Sequence, residues 1–235
     1  MINFKDLATI LLLPGQCVLC GFTHRQRGLL CVNCIPFLPE IKAGCERCAL
    51  PLLDASGRIC GQCLKTPPLF SRVHAHYHYV PPINGLLHRY KYHHQLYLAA
   101  LFFQCMVANP PSFLKKIDAL IPIPVHSSKL RERGFNPVAE IARRLAKHFA
   151  LPFLLHNCIK IRATSAQAIL DKQQREKNLC GSFLARDLEG KRILLLDDLM
   201  TTGSTLKEAS HTLLRAGAAE VYGWCFARAG GTINN

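Results

Sequence analysis

The chain has 235 residues, 49% of them apolar, which is enough for one ordinary domain plus a smaller module and excludes wholesale disorder. Lys and Arg outnumber Asp and Glu by 29 to 15, a formal charge of +14, so anionic partners such as nucleic acid or a polyphosphate are favoured. The longest internal apolar run, Leu96 to Ala108, contains Gln104 and is too short to span a bilayer, which argues against membrane insertion.

At the N-terminus, Lys5 and Asp6 precede a short apolar run, Leu7 to Leu13, with no small-residue cleavage site after it. Gln16 before Cys17 does not suit lipoprotein processing. The expectation is a cytoplasmic protein with reduced thiols. Eight of the twelve cysteines form four Cys-x-x-Cys pairs, Cys17/Cys20, Cys31/Cys34, Cys45/Cys48 and Cys60/Cys63. Two thiolates of one tight turn can reach a tetrahedral ion together, and a second such turn completes four sulfurs. The simplest partition gives two structural zinc sites in sequence order; an interleaved partition or one occupied site remains open. Redox use is the competing reading, but no local βαβ pattern surrounds the pairs. Arg25, Arg27, Lys42, Arg47, Arg58 and Lys65 are scattered through the module, as a solvated surface or a nucleic-acid or protein contact would have them. Thr66-Pro67-Pro68 reads as a linker, dividing a zinc-ribbon domain at 1–68 from a second domain at 69–235.

Val73 to Val80 alternates as a strand and places His74, His76 and His78 on one face, read as half-exposed rather than metal-binding. Pro81-Pro82 ends it. Short helices follow at Ile83 to Tyr92 and about Leu96 to Val107, closing a helical part at about 69–112 before a core at about 113–230. Asp118 to Val125 is a buried strand, and Pro122 and Pro124 fix an extended exit. A basic loop, His126 to Asn136, follows and carries Lys129, Arg131, Arg133 and Gly134; arginines beside a strand end suit phosphate oxygens. Asn136-Pro137 starts a helix running to about Phe149, with Val138, Ile141, Leu145 and Phe149 along one stripe. Leu151 to Ile161 is read as a third strand. Leu206 to Ala216 is a helix ended at Gly217, Val221 to Ala227 is a last strand, and the tail from Gly230 is expected to be loose.

Ile193 to Leu196 is a run of four aliphatics, the pattern of a strand buried on both faces. It delivers Asp197 and Asp198 to its carboxyl end, where ligands bind in open α/β sheets. Thr201, Thr202, Gly203, Ser204 and Thr205 then offer hydroxyls and free N–H groups to an anion at a helix start. Two acids cannot also hold phosphate, but they suit sugar hydroxyls or magnesium-bound water. The segment therefore points to a phosphorylated sugar. It resembles the ribose-5-phosphate-binding motif of type I phosphoribosyltransferases.

The Pro-x-Pro strand exit, the Arg-Gly-Phe-Asn at 133–136, Lys91-Tyr92 before a helix, Arg162-x-Thr164-x-x-Gln167, Arg175, and Asn178-Leu179 stand in one order behind a double cysteine module. That order resembles the ComF/GntX family of phosphoribosyltransferase-like proteins over essentially the whole chain. The resemblance implies an α/β fold of type I phosphoribosyltransferase class, Rossmann-like with a mostly parallel sheet flanked by helices, behind a small N-terminal zinc ribbon. It implies phosphoribosyl pyrophosphate with magnesium as ligand. The 5-phosphate falls to Thr201–Thr205, the ribose hydroxyls to Asp197 and Asp198 as the catalytic pair, and the pyrophosphate to amides near Val125 and His126 with Arg131, Arg133 and Gly134. It also implies a mobile loop near the site with Arg162, Thr164, Gln167, Lys172, Arg175 and Lys177, a segment whose residues alone fit an exposed amphipathic helix as well. The family's link to natural transformation implies single-stranded DNA and competence-machinery proteins as partners; turnover of phosphoribosyl pyrophosphate in nucleotide or salvage metabolism is the alternative.

Overall fold

A computed structural model describes residues 15–25, 28–52, 58–163 and 179–230. Two short strands open it, β1 (Gly15–Gln16) and β2 (Thr23–His24), paired antiparallel. Then come α1 (Gly61–Lys65), β3 (Arg72–His78), α2 (Ile83–Tyr92), α3 (Leu98–Ala108), β4 (Ala119–Pro122), α4 (Ser127–Arg133) and α5 (Pro137–His148). The order finishes with β5 (Cys158–Lys160), β6 (Phe183–Ala185), β7 (Arg192–Met200), α6 (Ser204–Arg215) and β8 (Glu220–Arg228).

β3, β4, β7 and β8 form one sheet in the order β3-β8-β7-β4, with every pairing parallel, as the unbroken aliphatic runs require. Alternate residues of each strand feed opposite layers. Leu194, Leu196, Trp224 and Phe226 pack with α2, α3 and α5. Ile193, Leu195, Val221 and Cys225 pack with α6. Contact with α6 is close enough to demand glycine at 223, where a Cβ would lie 2.7 Å from Leu206 Cδ2 and 2.9 Å from Val73 Cγ2. Asn136 caps α5 by accepting from the N–H groups of Val138 and Ala139, and Pro137 follows at the first helical position, as read from the sequence.

Several expectations are corrected. The basic segment after β4 is a helix, not a loop: His126 Nδ1 accepts from Ser128 N–H at 3.2 Å to start it, and Gly134 at φ 80° ends it. On the histidine face of β3, His74 and His78 are partly exposed, but His76 between them is buried and accepts a hydrogen bond from the Trp224 indole N–H at 2.8 Å. The stretch read as a third strand splits. Pro152, which has no N–H, and Leu154 bracket one bridge from Phe153 to Leu120 at the sheet edge, and β5 then pairs antiparallel with β6 as a separate hairpin. Of the expected mobile loop, Thr164, Gln167, Lys172, Arg175 and Lys177 lie outside the described residues.

The outer edge of β3 would otherwise leave unpaired backbone groups. The cysteine module covers it: Ile41 N–H donates to His76 O at 2.8 Å, His78 N–H to Pro39 O at 2.8 Å and Val73 N–H to Arg47 O at 2.9 Å. Among the described residues, no helix is long and apolar enough to cross a membrane.

Candidate functional site

The strand β7 runs through the acid pair to Met200, so Asp197 and Asp198 sit in its last turn of pleat with their side chains on opposite faces. Asp198 is buried and accepts from Lys91 Nζ at 2.7 Å. Lys91 comes from the last turn of α2, which is anchored one residue earlier: Tyr90 is fully buried and donates its hydroxyl to Pro137 O at 2.9 Å. Burial pulls the Lys91 ammonium down, but Asp198, with Asp197 behind it, outweighs that and raises its pKa. Asp197 Oδ1 accepts the Asp198 N–H at 2.9 Å. Burial first, and the neighbouring Asp198 charge second, lift the Asp197 carboxyl to about 7.

Beyond Met200 the chain turns on Gly203, at φ 81°, where a Cβ would lie 2.6 Å from Met200 Cε. Thr202 Oγ1 and Ser204 Oγ share a hydrogen bond of 2.8 Å. The N–H groups of Thr201, Thr202, Gly203 and Thr205 have no hydrogen-bond partner among the described residues, and they open onto the N-terminus of α6. Free amides at the positive end of a helix dipole form a site for one anion.

β4 lies next to β7, with Pro122 opposite Leu196 and Ile123 N–H donating to Leu196 O at 2.8 Å. Val125 and His126 therefore emerge beside the acid pair. Arg133 reaches the same corner through an aromatic contact: its guanidinium lies 5.1 Å from the centroid of Tyr92, next to Lys91 in the chain. Arg131 is exposed and has no ion-pair partner among the described residues. Gly134 ends α4, and Phe135 packs its ring 5.6 Å from that of Tyr90. The expected anion and sugar groups thus gather at one end of the sheet, with Arg131 left pointing outward. Lys91 and Arg228 were missing from the expected site. Lys91 carried a signal, a lysine at the C-terminal end of a helix otherwise packed by Leu86, Leu87 and Tyr90; Arg228 carried only that of a charge at the end of an apolar strand.

The cysteines gather into two groups, Cys17, Cys20, Cys31, Cys34 and Cys45, Cys48, Cys60, Cys63, each with all sulfurs within 4.8 Å of one another. The partition is the sequential one. Cys20 and Cys31 sulfurs are 3.8 Å apart and those of Cys48 and Cys60 are 3.7 Å apart. A tetrahedron with Zn–S bonds of about 2.3 Å has edges of about 3.8 Å, so both groups fit structural zinc and neither has the bond length of a disulfide. In the second cluster burial raises the Cys48 and Cys63 thiols, whereas at Cys45 the amides of Cys60, Cys48 and Arg47 outweigh burial and bring it to about 7, so Cys45 is the thiol of that cluster nearest the thiolate form.

A family model described as a double zinc ribbon domain matches residues 8–64, and one described as a phosphoribosyl transferase domain matches residues 130–232. The DNA utilization protein YhgH of Salmonella typhimurium is 31% identical over 229 residues, covering 93% of this chain and 99% of that protein. The chain belongs to the ComF/GntX family. YhgH of Escherichia coli K12 is 30% identical over 226 residues, covering 93% of this chain and 99% of that one. Competence protein F of Haemophilus influenzae is 29% identical over 224 residues, covering 91% and 97%. The zinc ribbon and the parallel-sheet phosphoribosyltransferase domain thus stand in the ComF/GntX order along the whole chain.

Proposed function

We propose that this chain is a ComF-type competence protein, acting in DNA uptake during natural transformation through a domain that binds phosphoribosyl pyrophosphate with magnesium. The observation that carries the reading is the end of β7, where two acids stand two residues before a turn of unpartnered amides at a helix N-terminus. The 5-phosphate would take the amides and hydroxyls of Thr201 to Thr205. The ribose hydroxyls would donate to Asp197 and Asp198. The pyrophosphate would fall to Val125, His126, Arg133 and Gly134, with Arg131, which points outward, closing on it only after a change of rotamer. Magnesium, when bound, neutralises pyrophosphate oxygens; the carboxylates of Asp197 and Asp198 are the hard oxygen donors that would hold it through water. Should pyrophosphate depart, positive charge grows on the sugar beside the acid pair, which favours it electrostatically. That intact acid pair also supports the second reading, a phosphoribosyltransferase of nucleotide or salvage metabolism.

The names of the Haemophilus and Salmonella relatives support the DNA role, and the +14 charge supports a nucleic-acid partner. Twelve unpaired thiols support a reducing, cytoplasmic setting. Competence-machinery proteins would be the protein partners.

Calorimetry with phosphoribosyl pyrophosphate and magnesium is expected to give binding that Asp197→Asn with Asp198→Asn weakens at least about 100-fold, since two charge-assisted hydrogen-bond acceptors are lost. Absence of heat from the wild type would overturn the reading. Because Asp197 titrates at about 7 and its carboxylate is the binding form, affinity should rise as pH climbs to about 7 and then level off. Single-stranded DNA is expected to bind with a steep salt dependence, and Arg131→Ala with Arg133→Ala should flatten the log–log salt slope by about one to two. An unchanged slope in fluorescence anisotropy would place the DNA path away from α4.

A further inference from the structure

Arg228, the last residue of β8, is only 6% exposed, yet it has no carboxylate partner among the described residues. A buried guanidinium is costly unless its donors are satisfied. Here four carbonyl oxygens converge on it. Nε donates to Cys48 O at 3.1 Å, and the two N–H of Nη1 are shared among the carbonyls of Met200, at 3.1 Å, Thr201 and Ala229. Cys48 belongs to the second cysteine cluster. Met200 and Thr201 lead into the phosphate turn. One side chain therefore spans the metal knuckle and the loop.

The direction of those bonds matters. In a trans peptide the C=O and the next N–H point opposite ways. Holding the carbonyls of Met200 and Thr201 inward turns the N–H groups of Thr201 and Thr202 away from Arg228, and both are unpartnered. The turn is tied at its two ends, where Ala229 N–H donates to Met200 O and Lys207 N–H to Gly203 O, each at 2.9 Å, and behind it a cavity of about 190 Å³ is walled by Cys48, Cys60 and Cys63 on one side and Met200 and Gly203 on the other. The first cluster is tied elsewhere, through Arg89 Nη1 donating to Val18 O at 3.2 Å from α2. The clusters also lie in separate layers, the first with α2 and α3, the second with α6.

We propose that Arg228 is a positioning residue that joins the second cysteine cluster and the phosphate turn into one cooperative unit, so that metal held by Cys45, Cys48, Cys60 and Cys63 keeps the amides of Thr201 and Thr202 aimed outward. The consequence for a bound phosphate rests on the phosphosugar reading; the mechanical link does not. Two sites that share one rigid element help each other reciprocally. Metal in the second cluster strengthens phosphate binding, and a bound phosphate slows release of that metal.

Amide hydrogen exchange on the zinc-loaded full chain tests this. Cys63→Ser, which disables the second cluster, is expected to speed exchange of the bonded amides that tie the turn, Lys207 N–H on Gly203 O and Ala229 N–H on Met200 O, by about tenfold or more, whereas Cys20→Ser, in the first cluster, leaves them unchanged. Arg228→Met should loosen the same amides while two zinc per chain are retained, and Arg228→Lys, which keeps the charge but cannot span Cys48 O and Met200 O together, should do likewise. Equal effects of Cys63→Ser and Cys20→Ser, silence of both Arg228 variants, or loosening that spreads to β4 would each overturn the proposal. Phosphoribosyl pyrophosphate separates the two readings. Failure of the wild type to bind it, with the exchange coupling intact, removes the phosphosugar reading alone. Binding with no exchange coupling removes the proposal alone.

Discussion

Lys91→Met is expected to cost about 3 kcal/mol of stability at neutral pH, because it strips the cation from a buried acid pair. The pair is well enclosed, with side-chain exposures of 19% for Lys91 and 5% for Asp198. Breaking a buried pair from one side costs about 3 to 5 kcal/mol, and the partial exposure of Lys91 puts this case at the lower end. The loss should depend on pH in a definite direction. Asp197 already has a folded pKa raised from 3.8 to about 7, so its contribution is full below 3.8 and lost as pH rises through about 7. Removing Lys91, whose charge holds the Asp197 carboxyl down, pushes that carboxyl further up and deepens the loss. Urea unfolding should therefore show the variant most destabilised near pH 8 and much less so near pH 5, where a proton replaces the ammonium. An equal loss at both values would mean that Lys91 acts by packing alone.

The second large effect is acid lability centred on β3. His74, His76 and His78 all have lowered pKa values, chiefly through burial, and that of His76 falls to about 3, with the charge of His74 as the second cause. Histidines held neutral in the fold but free to charge near 6.5 in the unfolded chain contribute stability above 6.5 that is lost as pH falls toward the folded value. For His76 alone the loss is about 1.4 kcal/mol per pH unit below 6.5. His74 and His78 add in the same direction, while Asp197 opposes them with one proton. Stability is expected to drop steadily between pH 6.5 and 4.5. His76→Gln keeps an acceptor for the Trp224 indole and should flatten that slope by about one proton. The comparison with wild type also cancels any shared loss of metal in acid. An unchanged slope would show that the buried histidine is not the source.

What could be read from the sequence was what the chain holds in one contiguous piece. Four aliphatics, two acids and a Gly-centred turn are adjacent in the chain, so the end of β7 was legible before any fold was known. The cysteine pairs were legible because a knuckle closes within four residues, and their partition followed because Cys34 and Cys45 lie on different layers of the folded chain. α5 announced itself through Asn136 and Pro137. The contacts that organise the site were not legible, since they join distant points: Lys91 lies 107 residues from Asp198, and Arg228 lies 180 from Cys48. α4 was misread as a loop because its cap is a histidine side chain, a rarer signal than Ser, Asp or Asn. The burial of His76 was not legible because alternation shows which residues share a face, and only tertiary packing shows what covers each of them.

The central claim is that the turn from Thr201 to Thr205 seats the phosphate of a phosphosugar. Phosphorus NMR of phoshoribosyl pyrophosphate with magnesium resolves the 5-phosphate from the pyrophosphate and tests it most directly. On adding protein, the 5-phosphate resonance should shift and broaden, and Gly203→Val, which puts a β-branched residue at φ 81° and so distorts the turn, should abolish the change. A wild-type protein that perturbs only the pyrophosphate resonances, or a Gly203→Val variant that perturbs the 5-phosphate as strongly as wild type, would contradict the account.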